Sequence, residues 1–435
     1  MNNKITIHHI TRVEGHGNIL VDIKDGKIEK VLWEIIEAPR FFEAMVRGRH
    51  YTEVARITSR ICGICSVGHS ITSVKATEDA LGIKISEQTE VLRKILLHSE
   101  NFDSHILHIY FLVAPDLFGA PSVFPLLEGA KEVVLRALKM KNLAHQWGAI
   151  LAGRTTHPTK IVPGGFSTIP TKEDLLKIKE IILELIPEME KTLETLSTVL
   201  DKIPAFERDT EYMALWNGKE YPLYDGKIQT ILSSGEKTLY PVEKYRECTN
   251  EYLVEHSTAK FTKNKLDSLM VGALARFNNN YEFLHPEAKK VAEKLGLRPV
   301  FTNPFFNTVA QAIECVHSLY DSLEMVEKLI KEGIKEEEIP KPSKYGKGIA
   351  VVEVPRGILM HEYEYDEEGY CKGANCIIPT NQNHGNIQKD MEAYLPYLIK
   401  EKVSKEELEL KLEMLVRAYD PCISCSTHFL KVRFK

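Results

Sequence analysis

The sequence predicts an α+β protein that is predominantly helical, with small β elements towards its N- and C-terminal ends. Apolar and polar residues alternate over residues 1–36, which is the pattern of half-buried strands. Much of the chain after residue 87 instead repeats its apolar residues at helical spacing. Because 43% of the 435 residues are hydrophobic and no repeat or linker interrupts them, we expect one large domain over residues 1–435.

Local signals justify the first elements in chain order. Three strands fill residues 4–36, and Lys24-Asp-Gly-Lys27 has the turn chemistry of a hairpin between the last two. Short helices are expected near 40–47 and 51–57. A longer helix is expected to open at Cys62 and to run to about Leu81, which places His69 on the same helical face as Cys65.

Capping signals place two of the later helices. Thr171 and Asp174 begin a long amphipathic helix that Pro187 bends, and Ser404 with Glu407 begins the final helix, which leads into residues 420–428. The remaining expected elements are helices at 87–113, 120–155, 250–258, 264–296 and 304–332, a β-rich insertion at 212–242, a solvated loop at 328–347, and strands at 348–354 and 358–366.

Charge and composition argue against several classes of partner. The net charge of −5 leaves no basic face for nucleic acid. The first residues lack the apolar core of a secretory signal, and no apolar run reaches the roughly 20 residues of a membrane span. Eight cysteines in so long a chain do not indicate a disulfide scaffold. We therefore expect a cytoplasmic protein without a membrane span.

Two Cys-x-x-Cys pairs carry the strongest chemical signal. Cys62 and Cys65 lie in Arg60-Ile-Cys-Gly-Ile-Cys-Ser-Val-Gly-His69, and Cys422 and Cys425 lie in Asp420-Pro-Cys-Ile-Ser-Cys-Ser-Thr-His428. Two thiolates at this spacing can point the same way and bind one metal ion. Four thiolates together form a soft ligand set that suits zinc, copper(I), nickel or iron.

Spacing alone leaves three interpretations of these pairs. A structural zinc ribbon usually places its pairs roughly 15–20 residues apart, and a lone pair is often a redox dithiol or simply buried thiols. Here more than three hundred residues separate the pairs, so a shared site requires the whole fold to bring both chain ends together. Zinc, another metal and no shared site all remain open on this evidence.

Other polar features of the sequence are weaker indications of a functional site. His98, His105 and His108 lie on one predicted helix, where hydrogen-bonded residues beside a buried site are favoured over metal ligands. Ser234-Gly-Glu-Lys-Thr238 lacks the leading glycine of a phosphate-binding loop. No further cysteine cluster and no dinucleotide fingerprint occur, so we expect neither an iron–sulfur cluster nor a nucleotide site in this chain.

The residues around the cysteines resemble the large subunit of nickel-iron hydrogenases. Both signatures, RxCGxCxxxH and DPCxxCxxH, match at every fixed position. The resemblance continues through Arg12-Val-Glu-Gly-His16, Val354-Pro-Arg-Gly357 and Pro379-Thr380, and so covers essentially the whole chain. It implies that family's large-subunit fold and the reversible heterolytic cleavage of dihydrogen.

The resemblance also implies a ligand set. Cys62 and Cys422 would be terminal ligands of nickel, while Cys65 and Cys425 would bridge nickel to iron. The iron would carry carbon monoxide and two cyanides in addition. Glu43 and His428 match the family's magnesium site, although one carboxylate and one imidazole are a modest signature for that ion.

Further roles carry over to residues around the expected metals. Arg356 and Thr380 would hydrogen-bond the small ligands of iron, since a buried arginine stays charged and presents a planar fork of donors. Asp116 and Asp420 would compensate its charge, with a simple buried ion pair as the alternative. Two more roles are implied: Glu14 would relay protons, where the alternative is a surface glutamate, and His69 would donate to a bridging sulfur.

Partners and maturation are implied in the same way. Electrons would pass to an iron–sulfur small subunit, then through flavin or other diaphorase subunits to NAD(P), as in soluble sulfhydrogenases. Coupling to heterodisulfide reductase or to a deazaflavin coenzyme is the alternative. A complex-I-like scaffold and a zinc-binding scaffold are the non-catalytic rivals. An endopeptidase commonly cleaves family members after the position of His428, which would remove residues 429–435 here.

Overall fold

The computed structural model describes residues 3–7, 9–24 and 27–427. The helices in this part of the chain are α1 (Phe42–Met45), α2 (Tyr51–Thr58), α3 (Ser66–Leu81), α4 (Glu87–Leu107), α5 (Ala114–Leu117), α6 (Leu126–Gly129), α7 (Lys131–Ala152), α8 (Lys172–Ser197), α9 (Tyr245–Thr249), α10 (Ala273–Asn280), α11 (Pro286–Lys294), α12 (Asn307–Glu332), α13 (Pro379–Lys400), α14 (Lys405–Ala418) and α15 (Ile423–Ser426). The segment His108–Val113 continues α4 as a π-helical turn.

The strands form small sheets at several points of this helical body. They are β1 (Asn3–Ile7), β2 (Gly17–Lys24), β3 (Lys27–Ile35), β4 (Ile161–Val162), β5 (Gly165–Phe166), β6 (Glu211–Trp216), β7 (Lys227–Leu232), β8 (Lys237–Tyr240), β9 (Leu269–Met270), β10 (Lys347–Val354), β11 (Gly357–Tyr365) and β12 (Cys371–Ile377). The first three strands and the last three each form an antiparallel sheet in sequential order. The α+β class and the helical majority predicted from the sequence are thus confirmed.

Helix α3 lies at the centre of the fold. Fourteen of its sixteen residues are buried, because the helix packs against β10 and β11 on one side and against α2 and α4 on others. Small and hydroxylated side chains dominate its sequence, which allows close approach on every face. Helices α4, α7, α8 and α12 build the larger apolar core beside it.

Several predicted boundaries differ from the structure. Cys62 is extended, with φ −140° and ψ 138°, and α3 begins only at Ser66. The expected helix at 250–258 is not formed, and the expected helix at 264–296 divides into α10 and α11, the second of which starts with Pro286. A proline at the first position is compatible with a helix start but not with a helix interior, which explains the division.

Helix α13 and strand β12 were not predicted. The first half of α13 is rich in polar residues, and these are buried instead of forming a solvent-facing stripe: Asn381, Gln382, Asn383, His384 and Asn386. A search for apolar residues at helical spacing therefore misses the helix. In the described residues no helix is long and apolar enough to span a membrane.

The two ends of the described chain meet in the interior. Glu14 pairs with Cys422 in an isolated parallel bridge, and the backbone N–H of Ile423 donates to the carbonyl oxygen of Glu14 at 2.9 Å. The N–H of Arg40 likewise donates to the carbonyl oxygen of Thr427 at 2.8 Å. These contacts place the C-terminal cysteine pair beside the N-terminal one.

Candidate metal centre

The N-terminal cysteine pair lies at the start of α3. Cys62 is extended and Cys65 is the residue that immediately precedes the helix. The backbone N–H of Cys65 donates to Sγ of Cys62 at 3.1 Å, which closes a tight turn between them. Both side chains are buried, so their sulfurs face the interior and not solvent.

The C-terminal pair follows directly after α14. Asp420 has φ +50°, a left-handed conformation that aspartate tolerates better than most residues, and it turns the chain into Pro421 and Cys422. The sulfurs of Cys422 and Cys425 are bonded to each other in this structure, so both must be reduced to thiolates before they can bind a metal; both residues are buried. Sγ of Cys422 lies 3.6 Å from Sγ of Cys62.

The two pairs therefore lie at one site, as the resemblance implied. The sulfurs of Cys62, Cys422 and Cys425 lie within 4.8 Å of one another, and the fourth cysteine, Cys65, is hydrogen-bonded to Cys62. That hydrogen bond, with help from the positive charge of Arg356, lowers the pKa of Cys62 to about 7, while the same bond and burial raise the pKa of Cys65. A buried cluster of four soft sulfur atoms, of which Cys62 has the lowered pKa, fits nickel and iron.

Arg356 connects the two halves of the site. Its Nε donates to the carbonyl oxygen of Asp420 and its Nη2 to Oδ1 of the same residue, both at 2.7 Å, while Nη1 donates to Sγ of Cys65 at 3.2 Å. The guanidinium is 3% exposed, and the charge of Asp420 raises its pKa further above the normal value. Arg356 therefore remains a cation beside the sulfurs.

The structure corrects the expected role of Asp116. This carboxylate does not pair with Arg356; its partners are Arg12 and Arg417, and Arg417 donates to both of its oxygens at 2.8 and 3.0 Å. Asp420 alone compensates Arg356 among the described aspartates. Asp116 instead ties the segment before Glu14 to the end of α14, because these two arginines come from those two regions.

Glu14 contacts the C-terminal pair through its side chain and its backbone. Its Oε2 lies 3.2 Å from Sγ of Cys422 and accepts the backbone N–H of Ser424 at 3.0 Å. Its Oε1 accepts a hydrogen bond from the hydroxyl of Ser424. The side chain is only half-buried, so it extends from a buried sulfur towards the surface. The proton-relay role of Glu14 stays a prediction.

Gly15 permits this close approach. It has φ +85°, and a Cβ atom here would lie 2.8 Å from both Cβ of Ile423 and the backbone nitrogen of Ser424. A larger residue would therefore separate Glu14 from the cysteine turn.

Thr380 and His69 are both buried at the site. Thr380, in the first turn of α13, accepts the backbone N–H of Cys422 at 3.1 Å through its Oγ1. His69, in the first turn of α3, has Nδ1 3.3 Å from Nε2 of His361, which in turn contacts the hydroxyl of Tyr363 through Nδ1. The donation from His69 to a bridging sulfur stays a prediction.

The expected magnesium ligands are described only in part. Oε1 of Glu43 accepts the backbone N–H of Cys376 at 2.8 Å. His428 lies outside the described residues, as does the tail at 429–435. Glu43 is nevertheless on the side of the fold where the backbone of Arg40 binds Thr427, the last described residue.

Sequence reasoning missed two residues that hold the C-terminal turn. Arg40 donates to the carbonyl oxygens of Ile61 and Ser424, which joins the two cysteine segments directly. Nδ1 of His384 accepts from the indole N–H of Trp33 at 3.0 Å, so its Nε2 carries the proton and donates to Oγ of Ser426 at 2.9 Å. The only signal near Arg40 was Glu43, three residues further on, and no local pattern signalled His384.

A second cluster of metal-ligand types occurs on α4 and α12. Ligand atoms of His98, His317 and Asp321 lie within 4.8 Å of one another. However, Nδ1 of His317 accepts the backbone N–H of His285 at 3.1 Å, so the neutral ring keeps its proton on Nε2 and offers no lone pair there. Nε2 of His98 is hydrogen-bonded to Asp321 at 2.9 Å. His98 and Asp321 are therefore held by hydrogen bonds, and Nε2 of His317 is buried without a partner among the described residues.

His105 and His108 are hydrogen-bonded in the same way. Nε2 of His105 lies 2.8 Å from a carboxylate oxygen of Glu314, and His108 contacts Gln311 and the carbonyl oxygen of Arg417. Together with His98, they match the interpretation favoured from the sequence.

Comparison with known proteins identifies the family. The model of the family described as nickel-dependent hydrogenase matches residues 40–124 and 235–428, and a model described as HoxL-like matches residues 4–38. The alpha subunit of sulfhydrogenase 1 from Pyrococcus furiosus is 38% identical over 432 residues, which covers 98% of each chain. The chain belongs to the nickel-dependent hydrogenase family.

One further relative and two solved structures also resemble this chain over nearly its full length. The beta subunit of the NAD-reducing hydrogenase HoxS from Cupriavidus necator is 27% identical and covers 99% of this chain and 96% of its own. Among solved structures, an NAD⁺-reducing [NiFe]-hydrogenase superposes with a TM-score of 0.89 at 25% identity, covering 98% of this chain and 99% of its own. The Ni-Fe-Se hydrogenase of D. vulgaris Hildenborough shares the fold, with a TM-score of 0.77 at 21% identity. The match covers 98% of this chain and 100% of that one.

The family assignment decides between the interpretations of the cysteine pairs. The hydrogenase is an oxidoreductase, and its chain is the catalytic large subunit. The complex-I-like and zinc-scaffold alternatives are set aside, because the chain retains all four cysteines inside a nickel-dependent family.

Proposed function

We propose that this hydrogenase exchanges electrons between dihydrogen and NAD(P) in the cytoplasm, through an iron–sulfur small subunit together with flavin-containing or other diaphorase subunits. The observation that supports this most is the full-length similarity to the alpha subunit of sulfhydrogenase 1, together with the structural similarity to an NAD⁺-reducing [NiFe]-hydrogenase. In the described part of the chain, the only cluster of three or more cysteines is the candidate metal centre, so electrons leave it through a partner.

A second candidate acceptor follows from a different group of relatives. The matching chain of the F420-non-reducing hydrogenase vhc from Methanococcus voltae covers 98% of this chain at 29% identity. Coupling to heterodisulfide reductase or to a deazaflavin coenzyme is the alternative; because F420 is a deazaflavin, an F420-non-reducing relative gives no support to the second of these acceptors. The structural similarity to an NAD⁺-reducing [NiFe]-hydrogenase favours NAD(P).

Four cysteines would hold the metals in the proposed centre. Cys62 and Cys422 are the proposed terminal nickel ligands, and Cys65 and Cys425 the proposed bridges to an iron that carries carbon monoxide and cyanide. When bound, this pair of metals supplies the electron-rich soft centre that polarises dihydrogen towards heterolytic cleavage.

The chain's own residues then position donors and move the proton. Arg356 presents a fixed cationic fork next to Cys65, and Thr380 keeps its hydroxyl proton available because Oγ1 is already an acceptor for Cys422. Both side chains are suited to donate to the small ligands of iron. Glu14, 3.2 Å from Sγ of Cys422, takes the proton from that sulfur and passes it towards the surface.

Magnesium and proteolysis belong to the same proposal. Glu43 and His428 would hold magnesium next to the end of the mature chain, and an endopeptidase would remove residues 429–435 after the metals are in place. Intact-mass measurement on active complex checks this: we expect the large subunit to end at His428, and a fully active population with all 435 residues would contradict it.

Metal analysis and acceptor assays on the purified complex test the proposed function. We expect about one nickel at the four-cysteine site of each large subunit, infrared bands of carbon monoxide and cyanide, and H₂-dependent reduction of NAD⁺ or NADP⁺. Stoichiometric zinc without those bands would exclude the metal chemistry. Reduction of a deazaflavin or a heterodisulfide, with no reaction of NAD(P)⁺, would replace the acceptor only.

A further inference from the structure

Helix α3 begins without the side-chain cap that such helices normally have. The first backbone N–H groups of a helix lack partners within the helix, and a Ser, Thr, Asp or Asn at the N-cap usually accepts one of them. The N-cap of α3 is Cys65, which makes no capping hydrogen bond. Its sulfur instead receives a hydrogen bond from Arg356 and is a proposed metal ligand.

Glu100, on the neighbouring helix α4, accepts these N–H groups instead. Its Oε1 accepts the N–H of Val67 at 2.7 Å and its Oε2 the N–H of Gly68 at 2.9 Å. The side chain is only 6% exposed, and burial raises the pKa of Glu100 well above the normal value. A carboxylate at this position also lies at the positive end of the α3 dipole.

Gly68 makes room for this contact. A Cβ atom at Gly68 would lie 2.8 Å from Oε2 of Glu100 and 2.2 Å from Cγ1 of Val354. Because β10 ends at Val354, two residues before Arg356, the same close approach packs the end of the strand that leads into the arginine against the start of α3. Glu100, Gly68 and Val354 thus meet where the cysteine turn and the arginine are fixed relative to each other.

We propose that Glu100 is a positioning residue of the metal centre: it caps α3 from outside, so that the side chain of Cys65 is free for the metals while its sulfur is held in register with Cys62 and Arg356. This inference rests on the proposed function for the identity of the metals. The cap itself does not depend on them. Loss of the cap would let the turn at Cys62–Cys65 shift while the C-terminal pair keeps its own supports.

Glu100→Gln tests the proposal, because glutamine keeps the shape but turns an NH₂ group towards one of the two N–H donors. In the full chain without nickel, we expect amide exchange to become about tenfold faster at Val67 or at Gly68, whichever loses its acceptor, since a tenfold change corresponds to one hydrogen bond of roughly 1.4 kcal/mol. In the nickel-loaded complex, we expect shifted nickel electron-paramagnetic-resonance g-values at near-normal nickel content. Glu87→Gln, on the exposed start of the same helix, is the matched control and should change neither measurement.

The outcomes separate positioning from mere stability. Wild-type exchange at Val67 and Gly68, or unchanged g-values in a variant that only melts earlier, would overturn the proposal. Glu100→Asp, which keeps the charge but shortens the side chain, should give intermediate values, and it carries the same test if Glu100→Gln does not accumulate. If amide exchange at Val67 and Gly68 changes in the Glu100 variant but the wild-type protein itself never binds nickel, the result would support the cap and contradict the proposed function.

Discussion

The N-terminal and C-terminal cysteine pairs differ in what fixes their sulfurs. Cys62 and Cys65 precede a buried sixteen-residue helix in the centre of the fold, and residues close by in space cap and pack its first turn. Cys422 and Cys425 lie in a turn around the four-residue helix α15. Glu14, Arg40, Thr380 and His384 hold this turn from three distant parts of the chain.

This difference indicates that substitutions disturb the two halves of the centre in different ways. The N-terminal half shares its stability with the core, so a substitution there acts through packing. The C-terminal half is buried in the same core, but its turn also depends on hydrogen bonds, each worth about 0.5–1.5 kcal/mol, that cross long sequence separations. Arg356 alone contacts both halves directly among the described side chains that we assign to catalysis.

The largest effect is expected from Glu14→Gln in the C-terminal half. Glutamine can still accept from Ser424 but cannot exchange a proton, so H₂ oxidation should fall by about 10²–10⁴-fold while nickel stays bound. Turnover and nickel content measure this. Glu37→Gln, which changes an exposed pair with His16, is the control and should keep its rate. Unchanged turnover in the Glu14 variant would show that protons leave by another route.

Arg356→Lys tests the connection between the halves. Lysine keeps the positive charge but cannot contact Asp420 twice and Cys65 once, so we expect turnover to fall at least about tenfold, which corresponds to about 1.4 kcal/mol of activation free energy. Arg93→Lys breaks a similar buried pair, with Glu78, away from the site. The control should lower stability without this loss of turnover; equal losses would mean that Arg356 is structural.

The smallest effect concerns pH and His384. Burial lowers the pKa of His384 to about 3, so it is neutral when folded, whereas an unfolded histidine takes up a proton below about pH 6.5. Its stabilising contribution is therefore complete above that pH and is lost on acidification. Because the unfolded chain takes up this proton and the folded chain does not, the free energy of unfolding should fall by about 1 kcal/mol between pH 6.5 and 5.5.

His384→Gln should remove this part of the acid sensitivity and speed amide exchange in the turn at Ser426. His317→Gln is the comparison, because burial lowers the pKa of His317 to about 4 but this residue lies on α12. Denaturation at the two pH values should show a reduced acid sensitivity in both variants, with faster exchange at Ser426 only in the first. If both variants leave that turn unchanged, the hydrogen bond from His384 does not hold it.

The sequence predicted the parts of this molecule that carry a local signal. The capping box of Thr171 and Asp174 is present as expected, and Ser404 caps α14 through the N–H of Glu407. Pro187 was expected to bend α8 and lies within a helix that continues to Ser197. The meeting of the cysteine pairs also followed from their motifs.

Features set by packing could not be predicted in this way. Helix α13 was missed because Asn381 and its polar neighbours are buried around the site, which reverses the usual relation between polarity and exposure. Asp116 was expected to pair with Arg356, but its ion pairs are with Arg12 and Arg417. Glu100 has no motif at all, since its function arises only from where α4 passes the start of α3.

The contact between Glu14 and Cys422 has a consequence for the order of synthesis. These residues are 408 positions apart, so the ribosome completes nearly the whole protein before one can meet the other. Domains fold from the N-terminus as they emerge, at about 5–20 residues per second. For roughly twenty seconds or longer at those rates, a nascent chain therefore exposes Cys62 and Cys65 without their counterparts.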